Sequence, residues 1–349
     1  MRIIYCILFF LPLFSLGQTS NPNDKSISIG TKETIYSSLL QEKREVWVYV
    51  PASGVAGHQS RYPVMYLLDG PSFFNGITGL VQYLSTAGKM PEMIVVGIAN
   101  TNRVRDLTPT HSVYWSDGEQ DTAALGSSGG GEKFIAFIQS ELIPYIDSVY
   151  KPAPYRMFVG HSLGGLTVIN ALINHPALFN TYVAIDPSLW WDSRKLMNKA
   201  SQVLQQGNYT GKSLYFASAN TMEKGMDTMR VEKDTAHGNV HVRENLYFRS
   251  LLRNSQKSHL QWRWKFYPED NHTSIPLIAS YDALRSIFKT YELDKDVNDT
   301  SITVDYITTH YRNVSALLNY SVLPSQNMVN MLGYNFLSNK SYEKAYGFF

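Results

Sequence analysis

The stretch Tyr155-Arg156-Met157-Phe158-Val159-Gly160-His161-Ser162-Leu163-Gly164-Gly165 carries an apolar segment straight into a Gly-x-Ser-x-Gly pattern. Those five residues recur in many turns and say little by themselves. Here they stand between an apolar run that reads as a strand and Leu166–Asn174, which reads as a helix. In that setting the two glycines permit a turn too tight for side chains. The turn holds Ser162 strained and exposed, and the helix that follows aims its N-terminus at the same spot. Ser162 is therefore the expected nucleophile of a site built at the end of this strand.

On both sides of this segment, strands alternate with helices from about residue 28 to 290. Continuous apolar runs at 62–68, 93–99, 182–185 and 213–217 read as strands buried on both faces. Helical spacing of apolar residues marks 73–87, 131–148, 239–253 and 275–290. Residues 43–50 and 262–267 alternate instead, and the first of these suits an antiparallel edge strand. The expected fold class is α/β: a mostly parallel sheet with helices on both faces. Two long irregular segments, 100–130 and 219–238, interrupt it, and the first reads as one wall of the site.

Composition narrows the setting. The 349 residues carry a formal net charge of +2 and no Lys/Arg block, so nothing points to nucleic acid or to an anionic membrane surface. Met1–Gln18 has one basic residue before a short apolar run, with Ser15 and Gly17 ahead of a cut before Gln18. It reads as a secretory signal peptide over residues 1–17, too short and Pro-interrupted to span a bilayer. The only cysteine, Cys6, lies inside it, so the mature chain would hold no disulfide, no thiol chemistry and no Cys-based metal site. Asn271-His272-Thr273 matches a glycosylation sequon that would crowd the site, which favours a bacterial periplasmic or secreted protein. Neither a cofactor nor a metal is expected.

A serine hydroxyl needs a base. Of the nine histidines, His272 is the one in a turn-rich loop just after a late strand, with Ser274 and Pro276 opening a helix behind it. It is the expected base. The acid that would orient it is expected after the 213–217 strand, where Glu223 and Asp227 are both candidates; Asp186, after the preceding strand, ranks behind them. An oxyanion hole needs two backbone donors. Leu163 N–H is one. The other should come from Asp69-Gly70-Pro71-Ser72, where Pro71 has no N–H and Ser72 is the expected substitute.

With these residues in hand, the chain resembles the esterase D-like branch of the α/β-hydrolases, which includes siderophore esterases, feruloyl esterases and S-formylglutathione hydrolase. The resemblance rests on Tyr66–Gly70, Ile94–Ile98, Arg105–Pro109, Gly160–Gly165, Pro187–Asp192 and the His272 loop. It spans about three quarters of the chain, and its more specific elements are Arg105-Asp106-Leu-Thr-Pro109 and Pro187-Ser-Leu-Trp-Trp191. It implies an α/β-hydrolase domain over residues 18–292 and a cofactor-free serine esterase that forms an acyl-enzyme. The substrate would be a small-molecule, siderophore or carbohydrate-linked ester. By analogy Trp190 would pack on an acyl or aryl group beside Ser162. Arg103, Arg105 and the aromatic-rich loops suit an anionic aromatic ligand.

Beyond residue 292 a polar linker, 294–300, leads into helical sequence. Leu332-Gly333, Phe336, Ala345 and Phe349 fall at the spacing of a tetratricopeptide repeat that stops inside its second helix. Such a partial repeat cannot bury its own face, so either it packs on the domain before it or the natural chain is longer; it also offers a surface to a protein partner. This tail and Pro71 also fit a binding or scaffold protein that has kept the fold, and an acyltransferase would use the same acyl-enzyme.

Overall fold

A computed structural model describes residues 26–51 and 61–349. The expected signal peptide and Cys6 lie outside the described residues. Among the described residues, eight strands form one sheet: β1 (Thr31–Ser37), β2 (Glu42–Tyr49), β3 (Val64–Leu67), β4 (Ile94–Ile98), β5 (Arg156–His161), β6 (Thr181–Ile185), β7 (Ser213–Ala219) and β8 (Gln261–Tyr267). Their order is β1-β2-β4-β3-β5-β6-β7-β8. β1, β2 and β4 pair antiparallel, and every pair from β4 to β8 is parallel. This is the mostly parallel sheet that the alternating runs predict, in the α/β-hydrolase class that the resemblance implies.

Because successive side chains on a strand point to opposite faces, each buried strand feeds two cores. Tyr66, Phe158, Tyr182 and Phe216 enter one, with helices Leu163–Asn174 and Val240–Asn254 laid over it. Met65, Met157, Val183 and Tyr215 enter the other, under helices Gly70–Thr86 and Ile275–Ile287. That double burial is why these runs read as unbroken apolar sequence.

The structure differs from the sequence reading at the amino-terminal edge. β2 is antiparallel as expected, but it is not the outermost strand: β1 covers it, from Thr31 against Val48 to Ser37 against Glu42. β1 is hard to read because most of its side chains face solvent. The predicted 131–148 helix runs from Gly131 to Tyr150 with a π-helical stretch over Ile138–Leu142.

After residue 292 the chain forms helices Val304–Leu318, Gln326–Ser338 and Tyr342–Phe348. Ile302, Ile307, Tyr311 and Val314 join the same apolar cluster as Tyr155, Leu284 and Phe288. His310 Nε2 contacts the Tyr291 carbonyl at 3.0 Å, and Tyr311 meets the Tyr291 ring edge-on. The segment thus packs on the sheet domain instead of standing free. Gly333 lets the Phe349 ring lie close, since a Cβ there would sit 2.7 Å from it and displace it. No helix among the described residues is long and apolar enough to cross a membrane.

Candidate active site

The parallel strands deliver their carboxyl ends to one rim of the sheet, and the site is built on three of them. Ser162 follows β5, Asp186 follows β6, and His272 lies in the loop after β8.

Ser162 adopts φ 62° and ψ −119°, a backbone region that non-glycine residues rarely occupy. Holding it there costs on the order of 1–3 kcal/mol, so the surroundings must impose it. They do so from both sides. Ser162 N–H donates to the Ile185 carbonyl at 3.1 Å, and Ser188 N–H donates to the Ser162 carbonyl at 3.1 Å, which ties the turn to the end of β6. The glycines supply the room: a Cβ on Gly160 would lie 2.4 Å from the Gly164 carbonyl oxygen, and one on Gly165 would lie 2.9 Å from Pro187 Cβ.

From this turn a continuous chain of contacts runs inward. Ser162 Oγ is 3.0 Å from His272 Nε2, and His272 Nδ1 is 2.6 Å from Asp186 Oδ2. Asp186 is fully buried, so its charge needs partners. Its Oδ1 accepts from Ala219 N–H at 2.9 Å and Asn245 Nδ2 at 3.1 Å. Beside its Oδ2, His241 Nε2 lies at 3.0 Å. Burial alone would raise the pKa of this carboxyl. His241 first and His272 second outweigh burial and hold Asp186 well below the usual carboxylate range.

The acid next to His272 is thus Asp186, not Glu223 or Asp227. Glu223 N–H donates to Asn239 Oδ1 at 2.8 Å, and the Asn239 amide faces the Glu223 carboxylate at 3.3 Å. Asp227 caps the short helix Thr228–Val231, accepting from Met229 and Arg230 N–H at 2.9 Å. The physical reason is distance along the sheet. β6 is the direct neighbour of β5, so a residue one step past it already faces Ser162. The loop after β7 instead braces the His272 loop: Asn220 N–H donates to the Asp270 carbonyl at 2.8 Å. Asp186 announces itself only by its φ of 41°, which the sequence does not show.

Two groups escaped the sequence reading. His161, inside the Gly-x-Ser-x-Gly pattern, puts Nε2 2.8 Å from the His272 carbonyl, with its ring 4.5 Å from that of His272. Burial first, and the neighbouring His272 second, push its pKa down to about 4, so at neutral pH it is an uncharged donor clamping the His272 backbone. Ser188 Oγ stands 3.3 Å from Ser162 Oγ. Both lay in view as motif positions, but nothing in the pattern gave those side chains a direction.

The two oxyanion-hole positions fare differently. Leu163 heads the helix Leu163–Asn174, so its N–H has no partner within that helix. Ser72 N–H is already donated to the Asp69 carbonyl at 3.0 Å, which withdraws it from the hole. That turn is held by Asp69, φ 53°, whose carboxylate receives a two-pronged contact from Arg103 at 2.7 and 2.9 Å. Asn100 Nδ2 adds a third bond at 2.6 Å.

Of the residues expected to touch substrate, Arg103 is paired with Asp69 and Arg105 does not face the site. Its guanidinium is spent on Glu42 at 2.6 Å and Asp106 at 2.7 Å, around the fully buried Arg44–Asp106 pair. The Arg-Asp sequence is therefore a structural clasp between β2 and the helix Arg103–Leu107. Trp190 is at the site: its indole N–H donates to His241 Nδ1 at 3.1 Å, and its ring lies 6.4 Å from that of Trp115. Trp115, 37% exposed, comes from the long 100–130 segment and brings it against this wall.

The family described as "Putative esterase" matches residues 37–273, which takes in Ser162, Asp186 and His272. The chain belongs to this esterase family. Among solved structures it is similar to an IroE-like serine hydrolase from Shewanella oneidensis. The two are 31% identical with a TM-score of 0.79, over 91% of this chain and 97% of that one. Among curated proteins it is similar to the ferri-bacillibactin esterase BesA of Bacillus subtilis, 30% identical over 52% of this chain and 66% of BesA. It is also similar to the siderophore enterobactin esterase of Emericella nidulans, 29% identical over 44% of this chain and 54% of that enzyme. The esterase match thus spans just under two thirds of BesA and about half of the fungal enzyme.

Proposed function

We propose that this esterase-family protein is a serine carboxylic ester hydrolase working through an acyl-enzyme on Ser162. The observation that carries the reading is the unbroken contact chain Ser162 Oγ–His272 Nε2–Asp186 Oδ2 at 3.0 and 2.6 Å. His272 takes the Ser162 proton as Oγ attacks the ester carbonyl. Asp186 keeps the imidazole proton on Nδ1, leaving Nε2 free to accept, and stabilises the imidazolium that forms. The developing oxyanion is received by Leu163 N–H and, with Ser72 N–H engaged, by Gly70 N–H at the head of the helix Gly70–Thr86. His272 then returns its proton to the departing alcohol. Water deprotonated by the same residue releases the acid.

The substrate we propose is an ester or lactone of a siderophore, the compound class in the names of BesA and the fungal relative. The aromatic pair of Trp190 and Trp115, joined to the Asp186 end of the contact chain through His241, supports it, offering flat apolar faces to an aryl group. The protein would act in the periplasm or outside the cell, as Met1–Gly17 suggests. The test is a comparison of kcat/KM on p-nitrophenyl butyrate, a catecholate trilactone, a feruloyl ester and an acetylated sugar. The trilactone should exceed the sugar ester by at least about a hundredfold. Equal rates on all four would remove the siderophore assignment, and a wild type no faster than Ser162→Ala would remove the esterase itself.

A further inference from the structure

A second histidine shares the carboxylate of the triad. His241 Nε2 is 3.0 Å from the same Asp186 Oδ2 that contacts His272 Nδ1, and the two rings meet edge-on at 4.9 Å. Behind His241, the Trp190 indole N–H is 3.1 Å from Nδ1. An indole N–H can only donate, so His241 Nδ1 accepts and the ring proton sits on Nε2, toward Asp186.

We infer that His241 is a positioning residue of this site: held in its Nε2–H form by Trp190, it takes up part of the Asp186 charge and so sets how strongly Asp186 supports His272. The inference rests on the serine-esterase reading and adds a line of contacts to it, from the aromatic wall through Trp190, His241 and Asp186 to the base.

Three observations argue for this role over a bland one. The first is the crowding at a fully buried carboxylate. Ala219 and Asn245 donate to Oδ1 and His272 meets Oδ2, while His241 Nε2 lies 3.0 Å from the same Oδ2 at ion-pair distance without completing a hydrogen bond. A polar N–H that close to Oδ2 takes up charge that would otherwise act on His272 alone. The second is the direction of the indole. The same three groups bring ligand atoms within 4.8 Å of one another, the spacing of a cation site. An imidazole that ligates through Nε2 carries its proton on Nδ1, where the Trp190 N–H already points. The indole therefore opposes a cation there. The third is the lack of any other carboxylate for His241. Arg194 and Glu244 are paired at 2.7 Å, Lys195 and Asp192 at 2.9 Å, and Arg243 and Asp234 at 4.0 Å, while Glu223 faces Asn239. Among the described residues, Asp186 is the only acid within ion-pair distance of His241.

The pH dependence separates this from a packing role. The measurement is kcat/KM against pH with p-nitrophenyl acetate, for the wild type, His241→Leu, His241→Gln, Trp190→Phe and the Trp190→Phe/His241→Gln double variant. Melting temperatures are recorded beside it. His241→Leu takes the polar ring away from Oδ2 and leaves the Asp186 charge concentrated on His272, so the acidic limb moves up by about 0.5–1 pH unit. His241→Gln can donate to Asp186 and accept from Trp190, so it returns the limb to within about 0.2 unit of the wild type. Trp190→Phe lets His241 take a proton, which opposes a proton on His272; the limb becomes shallower and moves down. The double variant has no such histidine, so that downward displacement disappears.

An unmoved limb in His241→Leu, or equal losses in His241→Leu and His241→Gln, would overturn the inference. If His241→Leu does not fold, Trp190→Phe with and without His241→Gln decides: the same displacement in both would overturn it. A wild type no faster than Ser162→Ala would strike the esterase reading, whereas an active wild type with unresponsive limbs strikes only the role of His241.

Discussion

Replacing Asp186 by Asn is the most informative single perturbation of this site. The carboxylate is fully buried, accepts Ala219 N–H and Asn245 Nδ2 on one oxygen, and meets His272 and His241 on the other. Asparagine keeps the shape but cannot satisfy both sides. If its oxygen stays with Ala219 and Asn245, its NH2 faces His272 Nδ1. That ring must then accept there and carry its proton on Nε2, pointing at Ser162, where it cannot act as a base. If the amide flips, its NH2 meets two donors in a dry pocket, a loss of about 1–3 kcal/mol for each unpaired group. Either way the base is disabled in most molecules. The expected fall in kcat/KM is about 10³–10⁴-fold, or about 4–5.5 kcal/mol of transition-state stabilisation. Glu223→Gln and Asp227→Asn, whose carboxylates serve Asn239 and a helix cap, should stay within about threefold of the wild type. The assay is p-nitrophenyl butyrate hydrolysis at about pH 8, above the acidic limb expected for a histidine base. If Asp186→Asn kept more than about a tenth of the activity while Glu223→Gln lost about a hundredfold, the assignment of the acid would be refuted.

Other expectations follow from the same contacts. Glu42 is held at about 2, chiefly by Arg105, so the stability this pair gives is present above the unfolded carboxyl value and lost as pH falls toward about 2. Arg105→Ala should therefore raise the pH of acid unfolding, followed by circular dichroism, and leave KM at neutral pH unchanged. Arg44→Ala should cost about 3–5 kcal/mol in guanidinium unfolding, because it removes the fully buried cation of Asp106 and leaves that carboxylate only the part-exposed Arg105. His161 is pushed down to about 4, so the unfolded chain binds its proton first and stability falls as pH drops from about 6.5 toward about 4. His161→Gln should flatten that part of the stability profile while keeping a donor for the His272 carbonyl. Gly160→Ala drives a Cβ to 2.4 Å from the Gly164 oxygen, so it should abolish activity and lower the melting temperature.

The parts of this protein legible in its sequence are those that local chemistry dictates. Strands buried on both faces must be apolar throughout, so β3 to β7 stood out, whereas β1 shows solvent most of its side chains and did not. The turn around Ser162 was readable because only glycine tolerates the contacts at positions 160 and 165. His272 was readable because its loop combines turn residues with a helix start. The acid was not, because its choice depends on which strand lies beside β5, a fact of sheet order that no local pattern contains. Arg105 was misassigned for a related reason: a guanidinium beside a candidate wall suits an anion, but β2 supplies Glu42 across the fold to take it up. His161 and Ser188 sat inside recognised motifs, yet their roles depend on where those side chains point.

The most direct test of the acyl-enzyme mechanism is covalent capture at the nucleophile. The full chain is treated with a fluorophosphonate, and the modified peptide is located by mass spectrometry, with Ser162→Ala in parallel. One adduct per chain on Ser162, none on the variant, and loss of ester hydrolysis in step with labelling are expected. An unlabelled Ser162 in a protein that still hydrolyses esters, or a Ser162→Ala variant as active as the wild type, would contradict it.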